Sequence, residues 1–548
     1  MKWVRKRKMV LKEDEDKTII GPAIPPITNT FRSLSHIGWY SSAYTLTLCT
    51  FQLLWGRLYT HHAPFPTFFT SIFLFELGSL ICAISPTSAV FILGRAIAGI
   101  GSAGISNGSI VLVVRSVPLE RRPVFQSFFG VVYGVASVVG PVVGGVLTET
   151  VGWRWCFWIN LPCGGVVLVV LVLVLGRPFS LRGKKRMIKK ERGGTGRERG
   201  RRIGVTEQVK SLDPLGTALF MASIVCLLLA LQWGGTAYQW SSWRIILLLV
   251  LFPILLLLFL LLQHLTPSTH ALLPLHILTH RTIASSLFYT TTSQASMLII
   301  TYYIPLYFQV LRSYTPLSSG LATIPSILSL VLGTILAGAL VQKLVFYPAP
   351  FMYLSSILTS IGAGLISTWG VEEGRAGWIG YQVLFGFGVG CGMQQPSLLS
   401  QIVLERGDVP RGIGLMFFGQ NFGGAVGVGV AQGLFADTLA EQISTISGLH
   451  LDKEQVGEMG ATELKRLVPK ELLGAVLEGY GKAIRNAFYV GVGLAGVSAV
   501  GAVGVEWRSI RREPGGARKG VAAEERGTGE VKVDKRGQEI KGDKTSLV

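Results

Sequence analysis

The sequence predicts an all-α membrane protein, and three features indicate this fold class. Hydrophobic residues make up 49% of the 548-residue chain and charged residues only 15%, whereas a typical soluble domain has roughly 25% charged residues. The hydrophobic residues form runs long enough to cross a bilayer, and basic residues lie between these runs and at both ends. A net charge of +20 would suggest nucleic-acid binding in a soluble protein, but this placement of Lys and Arg indicates orientation in a bilayer and no nucleic-acid partner.

The predicted membrane spans follow from the length of the apolar runs, since one crossing takes about 20 predominantly apolar residues. Thirteen segments satisfy this requirement: 38–58, 67–85, 88–114, 124–147, 155–176, 213–233, 243–263, 282–308, 316–342, 350–369, 376–403, 411–435 and 483–505. A fourteenth, 16–31, is predicted to be incomplete. Its apolar part covers about half a span and contains Pro22, Pro25 and Pro26.

The basic residues predict the orientation of the chain, because short cytoplasmic loops carry an excess of Lys and Arg. If segment 16–31 counts as a crossing, the most basic connections fall on one side of the membrane: 115–122, 177–210, 264–281 and 405–411. The pattern therefore predicts fourteen crossings with both termini in the cytoplasm. The plasma membrane is the expected location, with a vacuolar or vesicle membrane as the alternative.

The spans and the loops between them divide the chain into six regions. These are a charged N-terminal segment 1–15, a helical bundle of six spans 16–176, a basic cytoplasmic linker 177–210, two additional spans 213–263, a second bundle 282–506 with an outer loop 437–482, and a cytoplasmic tail 507–548. The linker and the tail are rich in charge and glycine, so neither can bury a core and the tail is predicted to be disordered.

One predicted span is unusually rich in glycine. The stretch 130–145 carries five glycines, and it includes Gly134, Gly140, Pro141, Gly144 and Gly145. Glycine lowers helix stability and proline removes a hydrogen bond. In a bilayer, small residues compensate by letting helix backbones approach closely. The stretch therefore predicts a tightly packed or moving helix, which is typical of a transporter.

Seven short segments, taken together, resemble one known family. They are 16–25 (an Asp-x-Thr pattern followed by Ala-Ile-Pro), 52–56 (QLLWG), 94–101 (GRAIAGIG), 134–145 (around Gly-Pro), 153–162 (WRWCFWINLP), 231–235 (LQWGG) and 302–309 (YYIPLYFQ). In these segments the chain resembles the major facilitator superfamily, and within it the fourteen-span drug:proton antiporters with which filamentous fungi export toxins and drugs. The resemblance implies two six-helix bundles with two extra central helices between them.

The sequence departs from the family pattern at two places. The family's loop after the second helix holds Gly-x-x-x-Asp-Arg, whereas residues 56–62 read GRLYTHH and lack the aspartate. The upstream half of the first helix is replaced by RKRKMVLKEDED, and each charge at a helix centre costs about 2.5 to 3.5 kcal/mol. The first helix is therefore predicted to be incomplete.

Three ionisable residues are predicted to take part in proton coupling. Arg95 lies in an otherwise apolar span and Glu76 is the only carboxylate of its span; ionisable groups in such places are functional candidates. The resemblance links Arg95 to proton coupling and implies the same for Asp16, provided that a helix surrounds it. For Arg95 and Glu76 a purely structural role is the alternative.

Amides and aromatic residues are predicted to line a substrate cavity. Gln394 and Gln395 lie on one span, and Gln420 and Asn421 on the next. Neutral amides can hydrogen-bond varied substrates, although contacts between helices explain them equally well. Tyr302 and Tyr303 are further cavity candidates, with a place in the interfacial aromatic belt as the alternative.

The sequence gives no sign of an enzyme, a metal site or a cofactor. The six cysteines fall in or beside apolar segments without metal-ligand spacing, so neither a zinc site nor a disulfide is expected. The literal G-x-G-x-x-G at 99–104 lies inside a predicted membrane helix, where no dinucleotide site forms. No nucleotide-binding loop or catalytic constellation is present, which favours an ion gradient as the energy source.

These observations predict a proton-coupled secondary transporter that exports an amphipathic organic compound, such as a toxin, secondary metabolite or drug, by alternating access. Two alternatives stay open: an importer of the same superfamily, such as a siderophore transporter, and a non-transporting membrane protein with a defective first helix. The expected partners are the substrate, protons and the lipid bilayer, and the chain is expected to act as a monomer.

Overall fold

The computed structural model describes residues 23–33, 36–175, 212–235, 238–267, 270–370, 374–444, 446 and 472–511. Within these ranges the regular structure is helical, and one isolated bridge joins Gly234 and Tyr238. The prediction of an all-α membrane fold is therefore confirmed. The predicted linker 177–210, the charged segment 1–15 and Asp16 lie outside the described residues.

Fourteen helices are numbered here in chain order. They are α1 (Ile24–Phe31), α2 (Ile37–His61), α3 (Pro64–Ile84), α4 (Ser88–Ser116), α5 (Arg122–Thr150), α6 (Asn160–Leu175), α7 (Pro214–Trp233), α8 (Trp243–Leu265), α9 (Arg281–Val310), α10 (Ile324–Leu340), α11 (Ala349–Ser367), α12 (Arg375–Gly392, continued by Gln395–Val403), α13 (Val409–Ser444) and α14 (Leu473–Gly504). Short helices at Leu119–Arg121, Trp155–Trp158, Leu275–Leu278, Pro316–Leu321 and Val341–Val345 flank some of them. Ten helical stretches of the described chain are long and apolar enough to cross a membrane.

The helices form two halves. Helices α2 to α6 pack with one another, as do α9 to α14, and the halves meet where α2 packs on α13 and α5 packs on α10. We call the contact of α2 with α13 the first seam and the contact of α5 with α10 the second seam. Helix α7 lies against α2 and α13, and its hairpin partner α8 packs on α7. The side of α8 away from α7 exposes leucines such as Leu257, which is 65% exposed, as expected of a surface that faces lipid.

Several helices extend beyond the predicted spans. Helix α13 continues to Ser444 and α14 already begins at Leu473, so the predicted outer loop 437–482 is helical at both edges. Helix ends that project past the hydrocarbon can be polar. The length of an apolar run therefore underestimates the length of its helix.

A buried carboxylate fixes the inserted hairpin. Asp213 caps α7 by accepting a hydrogen bond from the backbone N–H of Gly216 at 3.0 Å. Its other oxygen accepts from Gln263 Nε2 on α8 at 2.7 Å and from the backbone N–H of Leu272 at 3.0 Å. One side chain thus joins α7, α8 and the segment before α9, because a buried carboxylate needs several donors.

Candidate functional site

A cavity of about 390 Å³ lies between the two halves. Its polar lining consists of Ser41, Ser42, Thr45, Ser106, Ser109, Tyr133, Gln232, Gln294, Gln394, Gln420, Asn421 and Gln432. Its apolar lining includes Leu46, Leu48, Phe129, Leu228, Leu231, Leu298, Met393, Phe417, Ala425 and Val428. The volume falls within the range of about 300 to 1,000 Å³ for small-molecule sites.

The cavity wall is neutral. Among the described residues that line it there is no carboxylate, lysine, arginine or histidine, and the polar groups are amides and hydroxyls. Such groups both donate and accept hydrogen bonds without imposing a charge on the ligand. The wall therefore suits an uncharged compound with apolar surface and several hydrogen-bonding groups.

Three of the amides predicted from the sequence lie at this wall. Gln394 occupies the break in α12, while Gln420 and Asn421 lie on α13. Gln420 Nε2 donates to the carbonyl of Met393 at 3.3 Å, and Asn421 Nδ2 donates to the carbonyl of Phe417 at 2.9 Å. These bonds hold both amides beside the cavity.

The other predicted cavity residues lie elsewhere. Gln395 points back along α12 and donates to the carbonyl of Cys391 at 3.1 Å. Tyr303 is buried with its ring 5.5 Å from that of Phe435, and Tyr302 is 53% exposed. Neither tyrosine belongs to the cavity lining. The structure thus brings together Gln394, Gln420 and Asn421 but not these three residues.

Arg95 lies inside the first half of the molecule. Its side chain is 1% exposed, and its Nε donates to the carbonyl of Tyr40 on α2 at 3.1 Å. The guanidinium carbon also lies 4.4 Å from the ring centroid of Tyr44, a cation–π distance. Arg95 therefore contacts the helix that supplies Ser41, Ser42 and Thr45 to the cavity, without lining the cavity itself.

Of the other two proton-coupling candidates, Glu76 is not among the residues that line the cavity. Glu76 lies on α3, and both of its carboxylate oxygens are buried. Asp16 lies outside the described residues.

The glycine-rich helix α5 packs on α10 through one part of its length only. A Cβ at Gly130 would meet Thr334, and one at Gly134 would meet Val331. Further along, Gly140 and Gly144 are buried, Pro141 is exposed, and a Cβ at Gly145 would find nothing within 4 Å.

The two seams are closed at one end of the molecule, where α2 and α4 end and α5 and α13 begin. We call it the basic end, because it carries Arg57, His61, Arg115, Arg122 and Arg411. At the first seam a Cβ on Gly56 would lie 2.9 Å from the carbonyl oxygen of Pro410; at the second, a Cβ on Gly338 would lie 2.8 Å from that of Pro123. The halves therefore touch backbone to backbone, and the cavity is closed toward this end.

A chain of polar contacts crosses the first seam at the basic end. Asp408 bonds to Arg411 at 2.9 Å and to His276 at 3.0 Å, and Arg411 contacts His61 Nε2 at 3.3 Å. Partial burial, with the nearby guanidinium groups of Arg57 and Arg411, lowers the pKa of His61 to about 4. The imidazole of His61, the last residue of α2 and outside the predicted span 38–58, is thus neutral at pH 7 and accepts from Arg411. The carboxylate in this chain of contacts, Asp408, belongs to the second half and reaches His61 through Arg411.

Two helical halves that enclose a neutral cavity at their seams define a membrane transporter. Residues 16–238 match the sequence profile described as Major Facilitator Superfamily. The chain is 42% identical over 502 residues to the efflux pump roqT of Penicillium rubens, covering 91% of this chain and 88% of that protein. It is 39% identical over 496 residues to the rubrofusarin-specific efflux pump aurT of Gibberella zeae, covering 90% and 87%. The chain belongs to the major facilitator superfamily.

A solved structure supports the same fold. The crystal structure of the human organic anion transporter MFSD10 is similar with a TM-score of 0.54 at 13% sequence identity, covering 89% of this chain and 98% of that one. At this identity the likeness extends to the fold alone.

Several residues that line the cavity are not among those predicted from the sequence. Gln294 on α9 and Gln432 on α13 line the cavity, and both are amides in predicted spans or at their ends, the signal that led to Gln394. For Gln232 the sequence gives the family motif 231–235 but predicts no place at the cavity.

Proposed function

We propose that this protein is a proton-coupled exporter of uncharged amphipathic organic compounds and works by alternating access. The observation that carries the proposal is the neutral, amide-lined cavity between two halves that are closed at one end. The relatives named as efflux pumps, one of them specific for rubrofusarin, support export of a secondary metabolite.

The distribution of basic residues supports the orientation. The basic end is rich in arginine, and short cytoplasmic loops carry an excess of Lys and Arg. We therefore assign this end to the cytoplasm, with both chain termini on that side. In this conformation the cavity is then shut off from the cytoplasm. Loading substrate requires the contact between Gly56 and Pro410 to open.

Proton coupling is assigned to charged groups away from the cavity. Arg95 contacts α2 through Tyr40 and Tyr44, and Glu76 is the buried carboxylate of the same half. Protonation of a buried carboxylate shifts the balance between two conformations when the proton binds one of them more tightly. The proton thus binds in the first half, and α2 transmits the resulting conformational change to the cavity.

Flux in inside-out membrane vesicles tests both the activity and its direction. With rubrofusarin as the probe, an exporter accumulates the compound in the vesicle lumen when the lumen is acidic, and a protonophore abolishes the accumulation. Loss of preloaded compound from the lumen under the same gradient would instead favour import. The absence of any gradient-driven flux, tested also with other uncharged aromatic metabolites, would sink the proposal.

The role of the cavity amides has its own test. Gln420→Leu removes one hydrogen-bonding group from the wall, which corresponds to a loss of about 3- to 10-fold in apparent affinity. We expect KM to rise by that factor while the amount of protein in the membrane stays constant. The matched control is Gln239→Leu, which makes the same change in an exposed loop outside the cavity lining. Equal KM values for the two variants would contradict the assignment.

A further inference from the structure

The inserted helix α7 belongs to neither six-helix half, yet it supplies part of the cavity wall. Leu228, Leu231 and Gln232 line the cavity together with residues of both halves. No described residue of α8 does so, and α8 packs on α7 from the lipid side. The two inserted helices therefore have different environments.

On one side, α7 contacts the start of α2. The rings of Trp39 and Trp233 lie 6.1 Å apart in an edge-to-face arrangement. A Cβ at Gly38 would lie 3.1 Å from Nε2 of Gln232. Because Gly38 has no side chain, the amide of Gln232 can lie against the α2 backbone beside the cavity.

On its other side, α7 contacts α13. A Cβ at Gly429 would lie 3.1 Å from Cβ of Leu231. Closer to the basic end, the rings of Phe220 and Phe418 lie 5.2 Å apart. Contacts at two levels hold α7 along α13.

The turn after α7 strengthens this attachment. The indole of Trp240 packs on Gly234 and on Gly235, which adopts a positive φ of 74° that favours glycine. A Cβ at Gly433 on α13 would lie 3.1 Å from the same indole. The motif 231–235 thus has a structural explanation: its glycines accommodate Trp240 and its glutamine reaches the cavity.

We propose that α7 is a wall of the substrate site and that Gln232 determines specificity by hydrogen-bonding the transported compound. Helix α7 bridges α2 and α13 at the level of the cavity, so it covers the first seam where lipid would otherwise reach the ligand. It places an amide there, which selects compounds with a hydrogen-bonding group on that side. The inference rests on the proposed transport function.

Transport kinetics test the role of Gln232. In vesicles containing the full chain, Gln232→Leu should raise KM for rubrofusarin, or for whichever uncharged metabolite the wild-type chain exports, by about 3- to 10-fold. Gln232→Glu places a charge in the neutral wall and should reduce transport further. Leu257→Ala on the lipid side of α8 is the control and should leave KM unchanged. If the KM of Gln232→Leu equals that of the control, Gln232 does not hydrogen-bond the transported compound and the proposed role is overturned.

Thiol labelling tests the position of α7 without relying on transport. A membrane-impermeant maleimide added from the side opposite the basic end should label Gln232→Cys above the background of the native cysteines, and Leu257→Cys should stay unlabelled. No labelling of Gln232→Cys from either side would overturn the placement. If the wild-type chain moves no probe, the proposed function fails, and the labelling still decides whether α7 lines the cavity.

Discussion

The first seam joins α2 and α13 in two contrasting ways. At the basic end Gly56 and Gly414 let the backbones touch, and polar contacts run from Asp408 through Arg411 to the neutral imidazole of His61 across the seam. At the cavity the same helices are held apart by serines, amides and phenylalanine, and none of the described residues that line the wall is charged. Closure and ligand binding thus use different chemistry on the same pair of helices.

The boundary between these regions is a hydrogen-bonded layer. Asn107 Nδ2 donates to the carbonyl of Gln52 at 2.8 Å and to its Oε1 at 2.9 Å. A Cβ at Gly414 would lie 3.0 Å from the same carbonyl oxygen. Since glycine-mediated contact is possible only at van der Waals distance, opening must separate these surfaces completely. The basic end is therefore a close backbone contact, whereas side chains line an open space at the cavity.

The largest expected effect comes from a side chain placed in the closed contact. Gly56→Val would press methyl groups against the backbone of Pro410, so the closed state should be lost and efflux should fall by more than about 10-fold. Vesicle flux measures the loss, and the yield of monodisperse protein shows that the chain still folds. Gly496→Val on α14 is the control, because a Cβ there has no neighbour within 4 Å. Normal efflux by Gly56→Val would mean that the contact does not gate transport.

A smaller loss of gradient-driven efflux is expected for Arg95→Ala. The buried cation bonds to the Tyr40 carbonyl and lies over the Tyr44 ring, and buried ionisable residues in membrane segments are commonly functional. Gradient-driven efflux should fall by about 10-fold while substrate exchange without a gradient persists.

The control for Arg95 has similar contacts at the edge of the bundle. Arg154 donates to the carbonyl of Ser85 at 2.9 Å and lies 4.5 Å from the Trp153 ring. Efflux by the Arg154→Ala variant should still be driven by the proton gradient. If both variants lose driven efflux equally, Arg95 has a structural role only.

A still smaller effect is expected for Asp408→Asn, which weakens the polar contacts across the seam. Asp408 is 18% exposed and Arg411 6%, and the side-chain oxygen of the asparagine can still accept from Arg411, so only the difference between a charged and a neutral acceptor is lost, about 1 kcal/mol. We therefore expect a change of up to about 5-fold in the efflux rate with an unchanged KM for substrate. Glu506→Gln, which breaks an exposed pair with Arg508 beyond α14, is the control. A 100-fold loss in Asp408→Asn would show that the charges, more than the glycines, hold the contact.

Local sequence patterns predicted the fold and part of the cavity. Apolar length identified the spans, and amides inside apolar helices identified Gln394, Gln420 and Asn421. The same signal also predicts Gln395, whose side chain bonds to the Cys391 carbonyl, while its neighbour Gln394, in the break of α12, lines the cavity.

The remaining cavity residues depend on which helices pack together. The amide of Gln232 lies in the first of the two predicted additional spans, and only the packing of α7 between α2 and α13 brings it to the cavity. The contact of Arg411 with His61 across the first seam is likewise invisible in sequence, since the two residues are 350 positions apart in the chain. Long-range packing, which no local pattern encodes, decides both.

The smallest expected effect separates the basic end from proton sensing. The pKa of His61 is lowered to about 4, so its imidazole is predominantly neutral throughout pH 5.5 to 8. His61→Gln keeps a side-chain acceptor for Arg411, and we expect the pH profile of efflux over this range to match that of the wild type. A shifted profile would mean that His61 titrates during transport, when the opened contact removes Arg57 and Arg411 from its surroundings. In that case the basic end would be both the gate and a proton sensor, and the division between the two regions of α2 would not hold.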